Sequence, residues 1–413
     1  MRKIYLVIVF MLALVMFPAS AQAEPEVRIE LDGYVLSSDM APVIVKDRTL
    51  VPFRAIAEAM NVKVEWNNET RSINASNGSQ SLLLQVGSAT AYINGSPVSL
   101  DVAPEIINDR TMIPLRFFST AFNCEVNWLD ATRTVTIKTP PRAMDVLGYY
   151  ALGDTQTSSW TNLFKSSYPE AAKGHTGVVS DLALGWFSLD ENGELLTRSR
   201  TGWQRPEGWE TVLDAAKEYN LRTEMVIHMT NEGRIITSLL SNPSNVNTAI
   251  QQIVAESRHY SGVNLDFEGL GLSEQGEALY QVQNSFSGFV KLLAEALHKE
   301  GKVLSLSLHA PNSSYKGYDY TALGKYSDNI IIMAYDYGTK PEPNNKVNEA
   351  ITMALQTVPA EKISLGISTP SETADSLETK IGLAKRYNLK GIAIWRLGLI
   401  TEDMWTILES NIK

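Results

Sequence analysis

The sequence predicts an α/β protein in which a (β/α)8 TIM barrel over residues 143–413 follows a small α+β repeat domain. Three observations support this. The C-terminal 271 residues approach the ~250 typical of such barrels. Apolar strand-like runs alternate there with amphipathic helical stretches. Upstream, one segment recurs after 62 residues. A doubly wound open sheet is the alternative for 143–413, but eight βα units favour the closed barrel, and no G-x-G-x-x-G motif follows the first strand.

Composition excludes several classes of protein. The 413 residues carry 36 Lys+Arg against 46 Asp+Glu, a net charge of -10, whereas nucleic-acid binders are usually basic. Cys124 is the single cysteine and forms no internal disulfide. No two of the five histidines share a metal-binding spacing. We therefore expect no nucleic-acid partner, no metal and no cofactor.

Residues 1–23 have the pattern of a secretory signal peptide. Arg2 and Lys3 precede an apolar run over 4–17, and Ala21-Gln22-Ala23 is a small-x-small cleavage site. An uncleaved membrane anchor is the alternative, although the run is short for a span of ~20 residues. We expect cleavage after Ala23 and a secreted monomer with no membrane span.

Residues 24–139 contain two copies of one unit. The repeated features are the run 46–54, which recurs as 108–116, the dipeptide 32–33, which recurs as 94–95, and Trp66, which recurs as Trp128. Asp-Gly and Asn-Gly at the dipeptides predict hairpins. In the first unit the pattern then predicts a helix over 53–60 and strands over 62–66 and 71–73.

The doubled D-R-T-x-x-P-x-R core resembles the stalk-like domain named after the N-terminus of copper amine oxidases. The segment has no histidine, so no copper site is implied. The resemblance implies a unit for attachment or spacing, and both a wall- or glycan-adhering module and an inert spacer stay open. We interpret Asp47, Arg48 and Arg54 as an ion-pair and turn network. Pro140 and Pro141 mark a stiff linker over 140–142.

The barrel elements follow in order along 143–413. Predicted strands are 145–151, 178–187, 222–229, 262–267, 303–309, 329–335, 363–367 and 391–395. Predicted helices are 209–219, 246–259, 286–299, 320–325, 347–357, 376–387 and 402–412. Several strands, such as Ile330-Ile331-Ile332-Met333, are continuous apolar runs, which is typical of strands buried on both faces.

The predicted fourth strand and the residue after it contain the acidic side chains best suited to catalysis. Strand alternation turns Asn264, Asp266 and Glu268 into the barrel, at the carboxyl end where such barrels have their active sites. Two neighbouring inward carboxylates are costly to bury without partners. They indicate either an active site or a structural acid network that braces the barrel interior.

Four motifs together resemble family-18 glycoside hydrolases, the chitinase-like barrels. The run 260–269, Tyr-Ser-Gly-Val-Asn-Leu-Asp-Phe-Glu-Gly, resembles the signature D-x-x-D-x-D-x-E. Residues 333–336, Met-Ala-Tyr-Asp, resemble M-x-Y-D on strand six. Trp395 ends strand eight, and Tyr149 lies on strand one, where the family has aromatic residues.

The resemblance implies substrate-assisted retaining hydrolysis next to N-acetylglucosamine. Glu268 would be the general acid and base, kept protonated by burial and by Asp266. Asp266 would hold the acetamido N–H, and Tyr335 would donate to the acetamido oxygen. Trp395 would form the floor under the sugar, and Asp336 would bind its hydroxyls or acetamido group. Tyr149 would also contact substrate.

The motif departs from the chitinases in informative places. Ser261 and Asn264 replace its first two aspartates, and Asn264 remains able to hydrogen-bond Asp266. This form of the motif resembles the spore-cortex and germination branch. The S-x-G-G motif of strand three is missing; Asn231 there would reach the substrate, and His228 is interpreted as a packed core residue. The short connection between strands seven and eight leaves no room for an inserted subdomain, which predicts an open groove.

These observations predict an exported β-N-acetylglucosaminidase that acts on peptidoglycan, including spore cortex, and is associated with the cell wall or spore envelope. A chitinase is the alternative with the same chemistry. A non-hydrolytic, lectin-like barrel is the alternative from another class, and retention of Asp266, Glu268 and Tyr335 argues against it. The expected partner is peptidoglycan or another glycan that contains N-acetylglucosamine.

Overall fold

The computed structural model describes residues 27–38, 40–45, 48–77, 80–151, 158–198, 202 and 204–413. The predicted signal peptide 1–23 and Asp47 lie outside these described residues. In the described part of the chain, no helix is both long and apolar enough to cross a membrane.

The N-terminal domain, here called the module, is rich in short strands. Its helices are α1, Phe53–Ala59, and α2, Leu115–Phe122. Its strands β1 to β13 are, in order, Arg28–Leu31, Tyr34–Val35, Val43–Val45, Arg48–Pro52, Lys63–Asn67, Ser72–Ser76, Ser81–Gln85, Thr90–Ile93, Ser96–Ser99, Glu105–Ile107, Arg110–Pro114, Glu125–Leu129 and Thr134–Lys138.

The two repeats of the module are intertwined. Sheet β12-β13-β1-β2 joins the end of the second repeat to the start of the first, and sheet β5-β6-β7-β8-β9 joins the first repeat to the second. The predicted hairpins form at both dipeptides, where both central residues have positive φ: 46° and 76° at Asp32-Gly33, and 51° and 80° at Asn94-Gly95. This is the conformation of a type I′ turn. The buried residues of both repeats form one shared core.

The barrel contains strands β14 to β22: Asp145–Tyr150, Asp181–Leu189, Leu195–Leu196, Arg222–Thr230, Gly262–Glu268, Val303–His309, Asn329–Met333, Ile363–Ser368 and Gly391–Trp395. Helices α3 to α11 are Ser159–Phe164, Glu210–Glu218, Ile235–Ser241, Pro243–Ser257, Gly276–Lys299, Tyr320–Tyr326, Asn344–Ala354, Ala374–Arg386 and Glu402–Asn411. Among the described residues, eight of these strands are parallel neighbours, and β14 pairs with both β22 and β15. That pairing closes the barrel and rules out the open doubly wound sheet.

Several element boundaries differ from the predicted ones. The helix predicted over 246–259 begins at Pro243, because Asn242 caps it by accepting from the backbone N–H of Ser244 and proline suits the first helical turn. A separate helix, α5, precedes it. Helix α7 begins ten residues before its predicted start at 286. Strand β20 ends at Met333, so Tyr335 lies in the loop beyond it.

The inside and the outside of the barrel are packed differently. Val263, Leu265 and Phe267 of β18 face the helices, and Phe267 packs its ring against Phe286 and Phe289 of α7. A separate inner cluster of apolar residues fills the barrel interior, and its members are Leu147, Tyr149, Ala183, Val226, Ile331, Ala393 and Trp395. The predicted inward orientation of the acidic residues on β18 is therefore confirmed.

The module docks directly on helix α10 of the barrel. Asp32, at the tip of the first hairpin, accepts from the backbone N–H of Thr139 at 2.7 Å and lies 3.7 Å from the ammonium group of Lys385. Both charged side chains are buried. Asn61 donates to the backbone carbonyls of Lys385 and Arg386. The predicted linker thus runs beside a buried ion pair that ties the two domains together.

Candidate active site

A cavity of about 660 Å³ opens at the carboxyl ends of the barrel strands. The residues that line it include six of the predicted site residues: Tyr149, Asp266, Glu268, Tyr335, Asp336 and Trp395. A larger cleft of about 1000 Å³ lies where the module meets the barrel. The smaller cavity is the better candidate active site, because a buried carboxyl group and a second carboxyl group lie side by side within it.

Glu268 ends strand β18 between two histidines. Its Oε1 lies 3.4 Å from Nε2 of His228 on β17, and its Oε2 lies 3.9 Å from Nε2 of His309 on β19. Gly269 follows with a φ of 82°, and its N–H donates to Nε2 of His309 at 3.3 Å. The glycine turns the chain away from the barrel and leaves the Glu268 carboxyl group at the cavity edge.

The two acids differ in pKa. Burial, followed by the charge of Glu268, raises the pKa of Asp266 to about 7. Burial also acts to raise the pKa of Glu268, but hydrogen bonding to His228 and the charge of His228 outweigh it, so that this pKa lies below its usual value. These two directions favour the proton on Asp266 over Glu268 in the free protein, whereas the sequence predicts a protonated Glu268.

Asn264 lies beneath the cavity and does not bind Asp266. Its amide donates to Oε2 of Glu224 at 3.2 Å, and its carbonyl accepts from the hydroxyl of Ser307 at 2.8 Å. Ser307 in turn is hydrogen-bonded to the hydroxyl of Tyr149. The expected contact with Asp266 is thus replaced by a fully buried network, and Asn264 is absent from the cavity lining among the described residues.

Two aromatic rings form one wall of the cavity. The rings of Tyr149 and Trp395 pack with their centroids 5.4 Å apart and their planes tilted by 59°. Their strands β14 and β22 are hydrogen-bonded neighbours. Tyr149 is held from below by Ser307, so the pair forms an ordered apolar surface against which a sugar ring can stack.

The loop after β20 presents Tyr335 and Asp336. Buried Glu342 accepts from the backbone N–H groups of Asp336 and Tyr337, at 3.0 and 3.1 Å. Lys380 of α10 donates to the backbone carbonyl of Glu342 at 2.8 Å. Burial raises the pKa of Tyr335 well above its ordinary value, so its hydroxyl remains a proton donor.

Asn231 is not brought to the cavity. Its side chain accepts from the backbone N–H of Thr237 at 3.1 Å and donates to that residue's hydroxyl at 3.0 Å. It is also absent from the cavity lining among the described residues. The predicted substrate contact is therefore replaced by a turn that starts helix α5.

Comparison with known families agrees with this geometry. Residues 145–373 match the family described as glycosyl hydrolases family 18, and residues 30–137 match the copper amine oxidase N-terminal domain. The chain belongs to glycoside hydrolase family 18. It is a glycoside hydrolase whose barrel follows a module of the copper amine oxidase N-terminal type.

Two curated relatives of this family-18 chain come from Bacillus subtilis strain 168. "Uncharacterized glycosylase YvbX" is 22% identical over 347 residues, which is 65% of this chain and 96% of the relative. The "Cortical fragment-lytic enzyme" is 24% identical over 328 residues, which is 60% of this chain and 72% of the relative.

Solved structures share the fold of this family-18 hydrolase. A class V chitinase from Pseudomonas fluorescens Pf-5 has a TM-score of 0.54 and 20% identity, covering 66% of this chain and all of the other. The spore cortex-lytic enzyme SleL of Bacillus megaterium QM B1551 has a TM-score of 0.54 and 18% identity, covering 73% of this chain and 82% of its own. At these identities the likeness concerns the fold alone.

Some residues that shape the family-18 site have no signal in the sequence motifs. Glu224 and Glu342 lie outside the motifs, and only the folded barrel brings them beneath Asn264 and the loop after β20. The sequence predicts a packed core residue at His228; the ring is buried, and it also contacts Glu268. Val226 and His228 are two residues apart on β17, so their side chains point to the same face of the strand. Because Val226 faces the barrel interior, this spacing is the sequence signal that also directs His228 toward the site.

Among the described residues, one group of three side chains lies close enough together to hold a metal ion. Ligand atoms of His228, Asp266 and Glu268 all lie within 4.8 Å of one another. These are the same groups that form the acid site. The His228 ring lies 3.4 Å from the Glu268 carboxylate and favours its charged form.

Proposed function

We propose that this glycoside hydrolase cleaves β-1,4 bonds next to N-acetylglucosamine in peptidoglycan, by substrate-assisted retaining catalysis. The observation that carries the proposal is the arrangement of Asp266 and Glu268. Both rise from one strand and therefore from one wall of the cavity. A protein nucleophile in a retaining enzyme would stand across the scissile bond from the acid, ~5–5.5 Å away. The sugar's own 2-acetamido group is better placed to attack.

The cavity residues support each step of that reaction. Glu268 protonates the glycosidic oxygen while the acetamido carbonyl oxygen bonds to the anomeric carbon, giving an oxazolinium ion. Asp266 reacts as the carboxylate, its proton having passed to solvent before the glycan binds, and accepts a hydrogen bond from the acetamido N–H, while Tyr335 donates to the acetamido oxygen. Glu268 then removes a proton from water, which attacks the anomeric carbon and opens the ring. Preorganised donors and acceptors of this kind stabilise charge that develops in the transition state.

The choice of polymer rests on the acidic strand and on one relative. Asn264 replaces a carboxylate that the chitinase signature contains. The Cortical fragment-lytic enzyme, named for its action on cortical fragments, is 24% identical over 60% of this chain. Only a short 3-10 turn, Thr369–Ser371, and helix α10 connect β21 to β22, which leaves the groove open to a long glycan. Together these observations favour peptidoglycan, including spore cortex, over chitin.

We propose that the module attaches the enzyme to wall material. Trp66 and Trp128, which are equivalent in the two repeats, are 38% and 39% exposed. Exposed indole rings are suited to stack on sugars. An exported location follows from the signal pattern and belongs to the same proposal.

Product analysis tests the proposed substrate most sharply. Purified enzyme would be incubated with spore-cortex peptidoglycan, vegetative-wall peptidoglycan and chitin oligomers, and the products would be identified by mass spectrometry. We expect muropeptides with reducing N-acetylglucosamine from peptidoglycan, and Glu268→Gln as the control should release none. Faster release of chitobiose from chitin would assign the enzyme to chitin instead. Binding of all three without products would indicate a lectin.

A further inference from the structure

The buried imidazole ring of His228 makes one polar contact with the active site, to the carboxyl group of Glu268. Its Nε2 faces Oε1 of Glu268 at 3.4 Å, while its Nδ1 has no hydrogen-bond partner among the described residues. Only about a tenth of its side chain is exposed. A buried imidazole that packed for apolar contacts alone would be expected to place neither nitrogen beside a carboxylate.

The second histidine beside Glu268 has a different role. Nε2 of His309 accepts from the N–H of Gly269, and its ring stacks on Tyr315 with centroids 3.9 Å apart. An accepting nitrogen carries no proton, so His309 cannot donate to Glu268 from Nε2. Burial lowers the pKa of His309, which agrees with a neutral ring. Of these two rings, His228 is therefore the one placed to donate.

We propose that His228 is a positioning residue that stores the proton used by Glu268. In the free enzyme the proton lies on Nε2 of His228, beside the Glu268 carboxylate. When a glycan fills the cavity and excludes water, the charged pair loses its solvation. The Nε2–H bond then breaks as an O–H bond forms on Glu268, which leaves a neutral pair able to protonate the glycosidic oxygen. After Glu268 removes a proton from water, that proton returns to Nε2. No outside acid is required.

The groups around His228 agree with this assignment. Glu268 and Asp266 face it from β18, its neighbour on one side. On the other side, β15 carries Asp181 as its charged residue, at the far end and paired with Arg222 at 2.6 Å. Burial acts to lower the pKa of His228, but hydrogen bonding and the two acids outweigh it and raise this pKa above its ordinary value.

The replacement of a motif aspartate by Asn264 explains why a proton store at His228 would be needed. The amide of Asn264 neither titrates nor contacts Asp266, since Glu224 and Ser307 occupy it. Asn264 therefore has no proton to share with the acids above it, and the proton for Glu268 needs a source within the cavity. His228 supplies a group that titrates near neutral pH.

The test combines kinetics with direct titration, and it rests on the proposed role of Glu268. The basic limb of kcat/KM against pH reports loss of the proton from the His228–Glu268 pair. In His228→Gln the limb should move to lower pH by about one unit or more, with kcat reduced and KM retained. The surface variant His298→Gln should keep the limb where the wild type has it. An unmoved limb in His228→Gln would overturn the proposal.

Titration of the histidine rings by NMR gives a readout without catalysis. The signal of His228 is assigned by its loss in His228→Gln. Its pKa should exceed 6.5 in the wild type and fall in Glu268→Gln, because the carboxylate that favours the cation is gone. An unchanged value would overturn the coupling. Full activity of Glu268→Gln would instead overturn the proposed function, while the NMR result would still report whether the two side chains are coupled.

Discussion

The side chain of Asn264 donates to buried Glu224 at 3.2 Å, whereas the carboxyl group of Asp266, two residues further along the strand, has its Oδ1 without a hydrogen-bond partner among the described residues. The polar groups inside the barrel are thus arranged in two levels. The lower level connects Glu224, Ser305, Asn264 and Ser307 by hydrogen bonds. The upper level leaves Asp266 able to accept a hydrogen bond from a ligand.

The lower level predicts a pH dependence of stability. Burial raises the pKa of Glu224 from 4.5 to about 7. Between these values the folded state keeps a proton that the unfolded state loses, so the free energy of unfolding should fall as pH rises from 4.5 to 7, by about 3 kcal/mol from this group. Glu224→Gln should flatten this decline in urea unfolding measured at several pH values. The same slope in the variant and the wild type would contradict the assignment.

The buried pair at the domain junction predicts a second stability effect. Asp32→Ala leaves the ammonium group of Lys385 buried without its carboxylate, which should cost about 3–5 kcal/mol. Lys138→Ala, at a more exposed pair 2.6 Å from Glu378, is the matched control and should cost at most ~1 kcal/mol. Urea unfolding and the rate of trypsin cleavage at Arg142 measure both. Equal losses in the two variants would mean that the junction does not depend on burial of the pair.

The attachment role of the module is best tested without deleting it. Removing residues 24–139 would strip Asp32 from buried Lys385 and uncover the face of α10. Trp66→Ala with Trp128→Ala leaves that junction intact and should reduce co-sedimentation with insoluble wall. Activity on soluble fragments should remain unchanged. Undiminished sedimentation would favour the inert-spacer interpretation.

Substrate-assisted catalysis makes a prediction about ligands. A thiazoline analogue of the oxazolinium ion should inhibit competitively, because it resembles the intermediate that Asp266 and Tyr335 are placed to hold. Glycan with a free 2-amino group at the cleaved sugar should not be hydrolysed. Rapid cleavage of such de-N-acetylated glycan, or a glycosyl ester trapped on Asp336, would show that a protein group attacks.

Much of this architecture can be predicted from local patterns. Strand β19 has its predicted bounds, Val303–His309, because its apolar alternation and the preceding Gly301 leave little ambiguity. The inward acids on β18 follow from the two-residue period of a strand. Glu268 and Asp266 could be placed in one cavity for the same reason.

Other features depend on partners that are distant in sequence. Asn264 pairs with Glu224, 40 residues away, and Tyr149 with Ser307, 158 residues away. No local sequence pattern predicts contacts between residues so far apart in the chain. The protonation order of Asp266 and Glu268 also depends on His228, which comes from another strand. The side chain of Asn231 is engaged by Thr237, a local competitor that the strand pattern does not reveal.

The most direct test of this account is the turnover of Glu268→Gln on soluble peptidoglycan fragments, measured beside the wild type. Glutamine keeps the shape of the side chain but cannot transfer a proton. General acid and base catalysis typically contributes 10²–10⁴-fold, so kcat should fall by at least about 100-fold while KM and the unfolding transition stay near those of the wild type. Near-normal turnover by a folded variant would contradict the central claim that Glu268 is the proton donor.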